Sequence, residues 1–196
     1  MKNNNFTSAN LDYRNTDWKF DFSSLPRWDN RDKIPFIYDK FYPIPQMDIL
    51  CCIYSIAEVT MGRYIGFLAI FKNKNDPELL LNITENMCFQ DYFFVSNNKN
   101  LLFFILSVSD KSTGTLKNPM LIIDIEKGKF SYYDTHCTNS GYTLTEISDS
   151  LFAFEVDEVQ RKNNEDLNAL ADKTIDLKTL KWYDLNKIDT LQKKLF

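Results

Sequence analysis

The sequence predicts a mainly β protein: an antiparallel meander in the form of a twisted sheet, a sandwich or propeller-like hairpins, with few short helices. The first observation behind this lies between Ile49 and Asp134. There, apolar runs (ILCCIYSIAEV, YIGFLAIF, ELLLNI, DYFFV, NLLFFILSVSD, PMLIIDI, KFSYYD) alternate with brief polar pieces holding Gly, Asn, Asp, Pro and Lys. Runs of this length and composition, bounded by turn residues, are the pattern of consecutive strands joined by tight connections. The second observation is the aromatic content of 15%, carried by 16 Phe and 10 Tyr, which suits half-buried pleated surfaces. A third is negative: 5 Gly and 6 Pro in 196 residues exclude collagen-like and low-complexity material. That length is enough for one well-buried core or at most two small ones, and the expectation is a single domain over residues 1–196, with 49–134 as its core meander.

Residues 1–15 are polar and Asn-rich and are expected to fray. In DWKFDFSSLPRW, Trp18, Phe20 and Phe22 alternate with Asp17, Lys19 and Asp21, a period of two that reads as a short strand. IPFIYDKFYPIP carries Pro35, Pro43 and Pro45, and proline cannot donate to a ladder, so this is an irregular or edge segment. Residues 47–59 admit a buried helix or a long strand by length alone. Their β-branched and aromatic content, and the Met61-Gly62 turn before YIGFLAIF, favour a hairpin.

Turns are expected at Asn73–Pro77, Ser96–Asn100 and Glu126–Lys129, with a longer polar connection over Lys111–Asn118. ELLLNI and DYFFV read as separate strands. Beyond Asp134, THCTNSGY is a loop, LTEISDSL suggests a helical turn or two, and LFAFEVDEV alternates as a strand. RKNNEDLNALAD has the spacing of a short surface helix. TIDLKTLKWYDL reads as one more alternating run with Leu180 and Trp182 inward, and NKIDTLQKKLF as a short terminal helix.

A net charge of −4 disfavours a nucleic-acid binder, because such binding draws on clustered Lys and Arg that neutralise phosphates. No run approaches the length of a membrane span, and MKNNNFTSANLDYRN lacks the apolar stretch of a secretory signal. The four cysteines, Cys51, Cys52, Cys88 and Cys137, form no CxxC pair. The expectation is a cytoplasmic protein with free thiols, Cys51 and Cys52 burying on opposite faces of one strand.

Several constellations bear on chemistry. A cysteine hydrolase would use Cys51 or Cys52 with His136, the lone histidine, helped by Asp134; a thiol nucleophile needs such a base within hydrogen-bond reach. LIIDIEKGKFSYYDTH has the strand–turn–strand shape found near the base of some papain-like peptidases, although Asn118 stands where they place a histidine before the strand. The cysteines lie inside an apolar run and not at a Gly-flanked helix start, which favours buried structural thiols. No paired spacing marks a metal site, and neither GxxxxGK nor GxGxxG is present, so no catalytic set and no cofactor are expected. Acid concentrates in Glu146, Asp149, Glu155, Asp157, Glu158, Glu165 and Asp166, tempered by Arg161 and Lys162. Such a run is ordinarily a solvated edge; its sharper reading is a patch that docks a basic protein partner.

The central tract, CIYSIAEVTMGRYIGFLAIFKNKNDPELLLNI followed by DYFFVSNNKNLLFFILSVSDKSTGTLKNPMLIIDIEKGKF, resembles the immunity proteins of bacterial polymorphic toxin systems, including contact-dependent growth inhibition. The likeness lies in aromatic hairpins, Asn/Lys turns and modest acidity, and it carries no residue assignment. It implies a small cytosolic protein that binds a cognate toxin domain and occludes its active site. Many such toxins are basic nucleases, which would suit an acidic inhibitor.

Overall fold

A computed structural model describes residues 6–8, 18, 39–60, 63–96, 99–109, 116–135, 142–156 and 173–188. The strands are β1 (Phe6–Ser8), β2 (Asp39–Ile44), β3 (Ile49–Thr60), β4 (Arg63–Lys72), β5 (Glu78–Ser96), β6 (Leu101–Ser109) and β7 (Leu116–Lys117), then β8 (Met120–Asp124), β9 (Lys129–Tyr133), β10 (Tyr142–Glu146), β11 (Leu151–Val156), β12 (Lys173–Asp176) and β13 (Tyr183–Asp184). Single 3-10 turns occupy Pro45–Met47 and Leu185–Lys187. Every pairing recorded between described strands is antiparallel, and no described helix reaches seven residues. The protein is therefore mainly β, as its runs of Ile, Phe, Val and Tyr predict.

The chain divides into two compact units: residues 10–89 with 185–195, and residues 1–9 with 90–184 and 196. The first unit pairs β2, β3, β4 and the opening part of β5 in sequence order. Of residues 47–59, Ile49 to Val59 are strand, within β3, while Met47 ends the 3-10 turn and Asp48 is left-handed. β3 pairs with β4 from Ile49↔Lys72 to Thr60↔Arg63, with register irregularities beyond Ser55 and Glu58. On one face Phe41, Leu50, Cys52, Phe67, Ala69 and Phe71 form a buried cluster that also takes in Trp18. That set obeys the strand period of two, which places Cys52 in this cluster and directs Cys51 to the other face. β2 tolerates Pro43 because, among the described strands, it lies at the end of the order and pairs only with β3.

The far end of the β3–β4 hairpin is closed by polar residues in left-handed conformation. Asp48 (φ 50°) and Asn73 (φ 62°) accept it more readily than other side chains. Asn73 N–H donates to the Asp48 carbonyl at 3.1 Å, and Lys74 N–H to Asp48 Oδ1 at 3.1 Å.

ELLLNI and DYFFV are not separate strands, as their intervening polar residues predict, but one strand, β5. TENMCFQ contains neither Gly nor Pro, and its backbone can continue the ladder; Met87 still faces Gly66 of β4. Polarity alone does not end a strand when a neighbouring strand supplies hydrogen bonds.

The second unit is a two-layer β-sandwich. One layer runs β5–β6–β8–β9–β13, with β1 along β5 and β7 along the end of β6; the other is β10–β11–β12. Within the stretch expected to fray, Phe6–Ser8 pairs with Phe94–Ser96 as β1. Phe94, Leu101, Phe103, Ile105, Met120 and Ile122 of the first layer pack on Leu144, Phe152, Phe154 and Ile175 of the second. Phe103 meets Phe152 with ring centroids 5.2 Å apart, and Tyr133 meets Phe154 edge-on at 6.3 Å. The alternate residues Phe93, Leu102, Phe104, Leu121 and Ile123 are buried as well. Burial on both faces is why LLFFIL and MLII are continuous apolar runs without alternation.

Two further expectations are corrected here. LTEISDSL is not helical: Thr143, Leu144 and Thr145 extend as β10, paired with β11 by Leu144↔Phe154 and Glu146↔Phe152. The β-branched threonines around Leu144 suit a pleated edge, and the hairpin with LFAFEV supplies the hydrogen bonds. TIDLKTLKWYDL is two strands, β12 and β13, broken by a turn in which Thr179 N–H donates to the Asp176 carbonyl at 3.0 Å. Leu180 and Trp182 nevertheless pack inward against the sandwich core. The short strand expected from the alternation over 17–22 lies outside the described residues apart from Trp18, which is buried. The helix expected over 161–172 lies wholly outside them. Of NKIDTLQKKLF, the described part extends to Ile188 and holds the end of a 3-10 turn.

Candidate functional site: a cleft at the mouth of the sandwich

The second unit opens at one end into a cleft of about 570 Å³, lined by residues of both layers, among them Lys99, Leu101, Asp124, Lys129, Leu177 and Trp182. Its construction follows from strand direction. β6 begins where β8 ends and β9 begins, so the connections before β6 and between β8 and β9 lie side by side. Ile125 N–H donates to the Asn100 carbonyl at 3.0 Å and locks them together. Leu101, Asp124 and Lys129 are cross-strand partners, so they share the inward face of their layer at its last rung.

The β8–β9 turn uses Gly128 at φ +61°, a conformation that costs glycine little. Asp124, buried at the turn's start, accepts Lys127 N–H at 2.9 Å and Lys127 Nζ at 2.8 Å. That contact pushes the Lys127 ammonium pKa up, through the hydrogen bond first and the carboxylate's charge second.

On the other layer, period two explains a nearly buried acid. Leu144 faces the core, so Glu146, two residues on, faces the same way. Its side chain is only 10% exposed, and its Oε1 accepts Lys99 Nζ at 2.5 Å. Lys99 Nζ also reaches the Ser148 carbonyl at 3.4 Å, stands 3.6 Å from Asp149 Oδ1, and lies 5.4 Å above the Phe152 ring. One lysine thus ties the β5–β6 connection to the β10–β11 turn. Leu177 N–H donates to the Ser150 carbonyl at 2.8 Å, and Trp182 Nε1–H to the Leu177 carbonyl at 3.0 Å, fixing the indole at the cleft wall.

Of the acidic residues proposed from sequence, Glu146 is turned inward and neutralised, while Asp149 is fully exposed on the cleft rim. Glu155 lies in β11 opposite Thr143. Asp157, Glu158, Glu165 and Asp166 lie outside the described residues. Sequence reasoning missed Lys99, Lys129 and Lys178 as lining groups, because a lysine in a turn looks like any solvated turn residue. The inward placement of Trp182 was the one legible sign.

The thiols behave as structural groups. Cys51 and Cys52 are free and fully buried in β3, and desolvation pushes both pKa values well up, with Cys51's charge adding to the effect at Cys52. A thiolate nucleophile needs the opposite shift. His136 lies outside the described residues; Asp134 is exposed, and Asn118 is buried with its carbonyl accepting Thr135 Oγ1 at 2.6 Å. Among the described residues no three His, Cys, Asp or Glu converge as metal ligands.

A thiol reagent added at pH 8 is expected to leave Cys51 and Cys52 unlabelled in the native protein and to label them on unfolding, read by peptide mass spectrometry. Because the folded pKa values are raised, the folded state holds protons that the unfolded chain releases above its ordinary value of 9.0. The thiols' contribution is complete below that pH, and stability falls as pH rises beyond it, by about 1.4 kcal/mol per thiol per pH unit. Denaturant titrations from pH 8 to 10.5 on the protein and on Cys51→Ala/Cys52→Ala check this: the double variant should lose the alkaline slope.

No described helix is long and apolar enough to cross a membrane. Compared with known proteins, the chain matches no family model, no curated protein and no solved structure.

Proposed function

We propose that the chain is a cytoplasmic, non-catalytic binding protein of the toxin-immunity kind, which engages a cognate toxin domain and blocks its active site. The observation that carries this reading is the cleft. A half-buried tryptophan and two leucines line it, charged side chains surround them, and strand pairing and loop-to-loop hydrogen bonds brace the frame. A fixed aromatic with a charged rim is the anatomy of a protein-recognition hot spot. The burial of Cys51 and Cys52 supports the same reading, since it leaves the cysteine-hydrolase alternative without an accessible nucleophile at either. Exposed Glu126 on the rim suits a partner that brings some basic surface, as a nuclease does.

The test is to look for a toxin reading frame immediately upstream of this chain's own and to co-express the chain with that toxin's C-terminal domain. Expected results are a complex that survives gel filtration and restored growth of cells making the toxin. A toxin domain that neither co-purifies nor is neutralised overturns the reading.

A further inference from the structure

We propose that the cleft accepts a carboxylate-bearing segment of the protein partner, with Lys129 and Lys178 holding the carboxylate and Trp182 and Leu177 taking the apolar side chain beside it. This rests on the binding reading above and names what the cleft takes.

Four lysines line the cleft, and they fall into two classes. Lys99 is held by Glu146 and Asp149, and Lys127 by Asp124. Lys129 and Lys178 are exposed and make no ion pair among the described residues. Their backbones are nonetheless fixed. Lys129 is paired on both sides, with Asp124 of β8 and Asp184 of β13. Lys178 N–H donates to Asp176 Oδ1 at 3.0 Å, next to Leu177, which is bound to Ser150. Two ammonium groups on braced backbone at one cleft lose less freedom on meeting an anion than two on loose loops.

The protein's own acids have already neutralised the other two lysines, so the cleft's remaining positive charge awaits an acid from outside. The apolar part sets the rest of the ligand. The Trp182 N–H is committed to Leu177, so the ring offers surface and no donor; Leu101 and Leu177 are apolar neighbours. A volume of about 570 Å³ exceeds what one small anion fills and falls in the range of sites for larger ligands. Glu126 on the rim selects against a uniformly acidic chain. The fitting occupant is a peptide segment alternating carboxylate and apolar side chains. Nuclease active sites gather carboxylates to hold metal ions, so a toxin of that class presents such groups where a blocker must sit.

The experiment titrates the full chain with a capped peptide alternating Glu and Leu, the same peptide with Lys for Glu, and acetate as a free carboxylate. Calorimetry and the Trp182 indole N–H resonance are read at about 50 mM salt, where screening is weak. The Glu peptide should move the Trp182 signal and bind about tenfold tighter than the Lys peptide. Lys129→Glu/Lys178→Glu should weaken it about tenfold or more, Lys129→Gln/Lys178→Gln by less, and Lys72→Glu in the other unit not at all. Circular dichroism confirms that the variants fold. The inference is overturned by absent Glu-peptide binding, by binding that the double reversal leaves unchanged, by a tighter Lys peptide, or by acetate reproducing the whole response. No toxin enters this titration, so its failure and the failure of the immunity reading are separately visible.

Discussion

Phe152→Ala is expected to destabilise the sandwich unit by about 3–5 kcal/mol, the cost of deleting a buried aromatic ring when the surroundings relax only partly. Phe152 is fully buried at the centre of the short layer, between Glu146 in β10 and Ile175 in β12. It carries the ring contact with Phe103 across the layers and lies under the Lys99 ammonium. The truncation therefore removes core volume, an aromatic pair and a cation–π contact together. Equilibrium urea unfolding followed by near- and far-ultraviolet circular dichroism measures it. The midpoint should fall with little change in slope, and Phe152→Leu should recover most of the loss. A loss under about 1 kcal/mol would place Phe152 outside a tightly packed core.

Lys99→Met is expected to cost about 3 kcal/mol, more than an exposed ion pair would, because it leaves the Glu146 carboxylate nine-tenths buried without its cation. Glu146 Oε2 has no hydrogen-bond partner, so Lys99 carries the compensation for that charge. Surface pairs such as Lys72–Glu78, both about half exposed, should contribute less than about 1 kcal/mol. The diagnostic variant is the double replacement Lys99→Met/Glu146→Leu. Removing both charges relieves the orphaned acid, so the double variant should be more stable than Lys99→Met alone. Denaturant titration of both singles and the double gives the coupling directly. Additive losses would show that the two groups act independently.

Much of the architecture was legible because sheets impose a local rule. The period of two assigned the inward set of β11, the turn residues marked Asn73–Pro77 and Glu126–Lys129, and the β-branched content of 49–59 pointed to strand. Where that reading failed, the missing information was a partner strand. TENMCFQ looks like a connection in isolation, yet it continues β5, because β4 lies alongside part of it. Leu144–Glu146 looks like the start of a helical turn, yet it belongs to β10, because LFAFEV folds back on it. TIDLKTLKWYDL alternates through Leu177–Leu180, where the backbone turns.

The candidate site was less legible, since its members come from four separate connections. Nothing in SNNKN, IEKGK, ISDS or LKTLKW says that these turns meet. Two of the acids chosen from sequence show the difference. Asp149 is as open as its composition implies. Glu146 has the same chemistry and is inward, because it lies two residues from Leu144 on a strand whose face is set by the core.

By itself, then, the sequence determined a mainly β protein with aromatic strands, tight polar turns and apolar surroundings for Cys51 and Cys52, because burial period and turn chemistry are written residue by residue. Only the tertiary structure decided which charges are neutralised by one another among the described residues and which are not. The Lys127–Asp124 pair is local to one turn, but Lys99 meets Glu146 only because two distant turns come together, while Lys129 and Lys178 make no ion pair among the described residues.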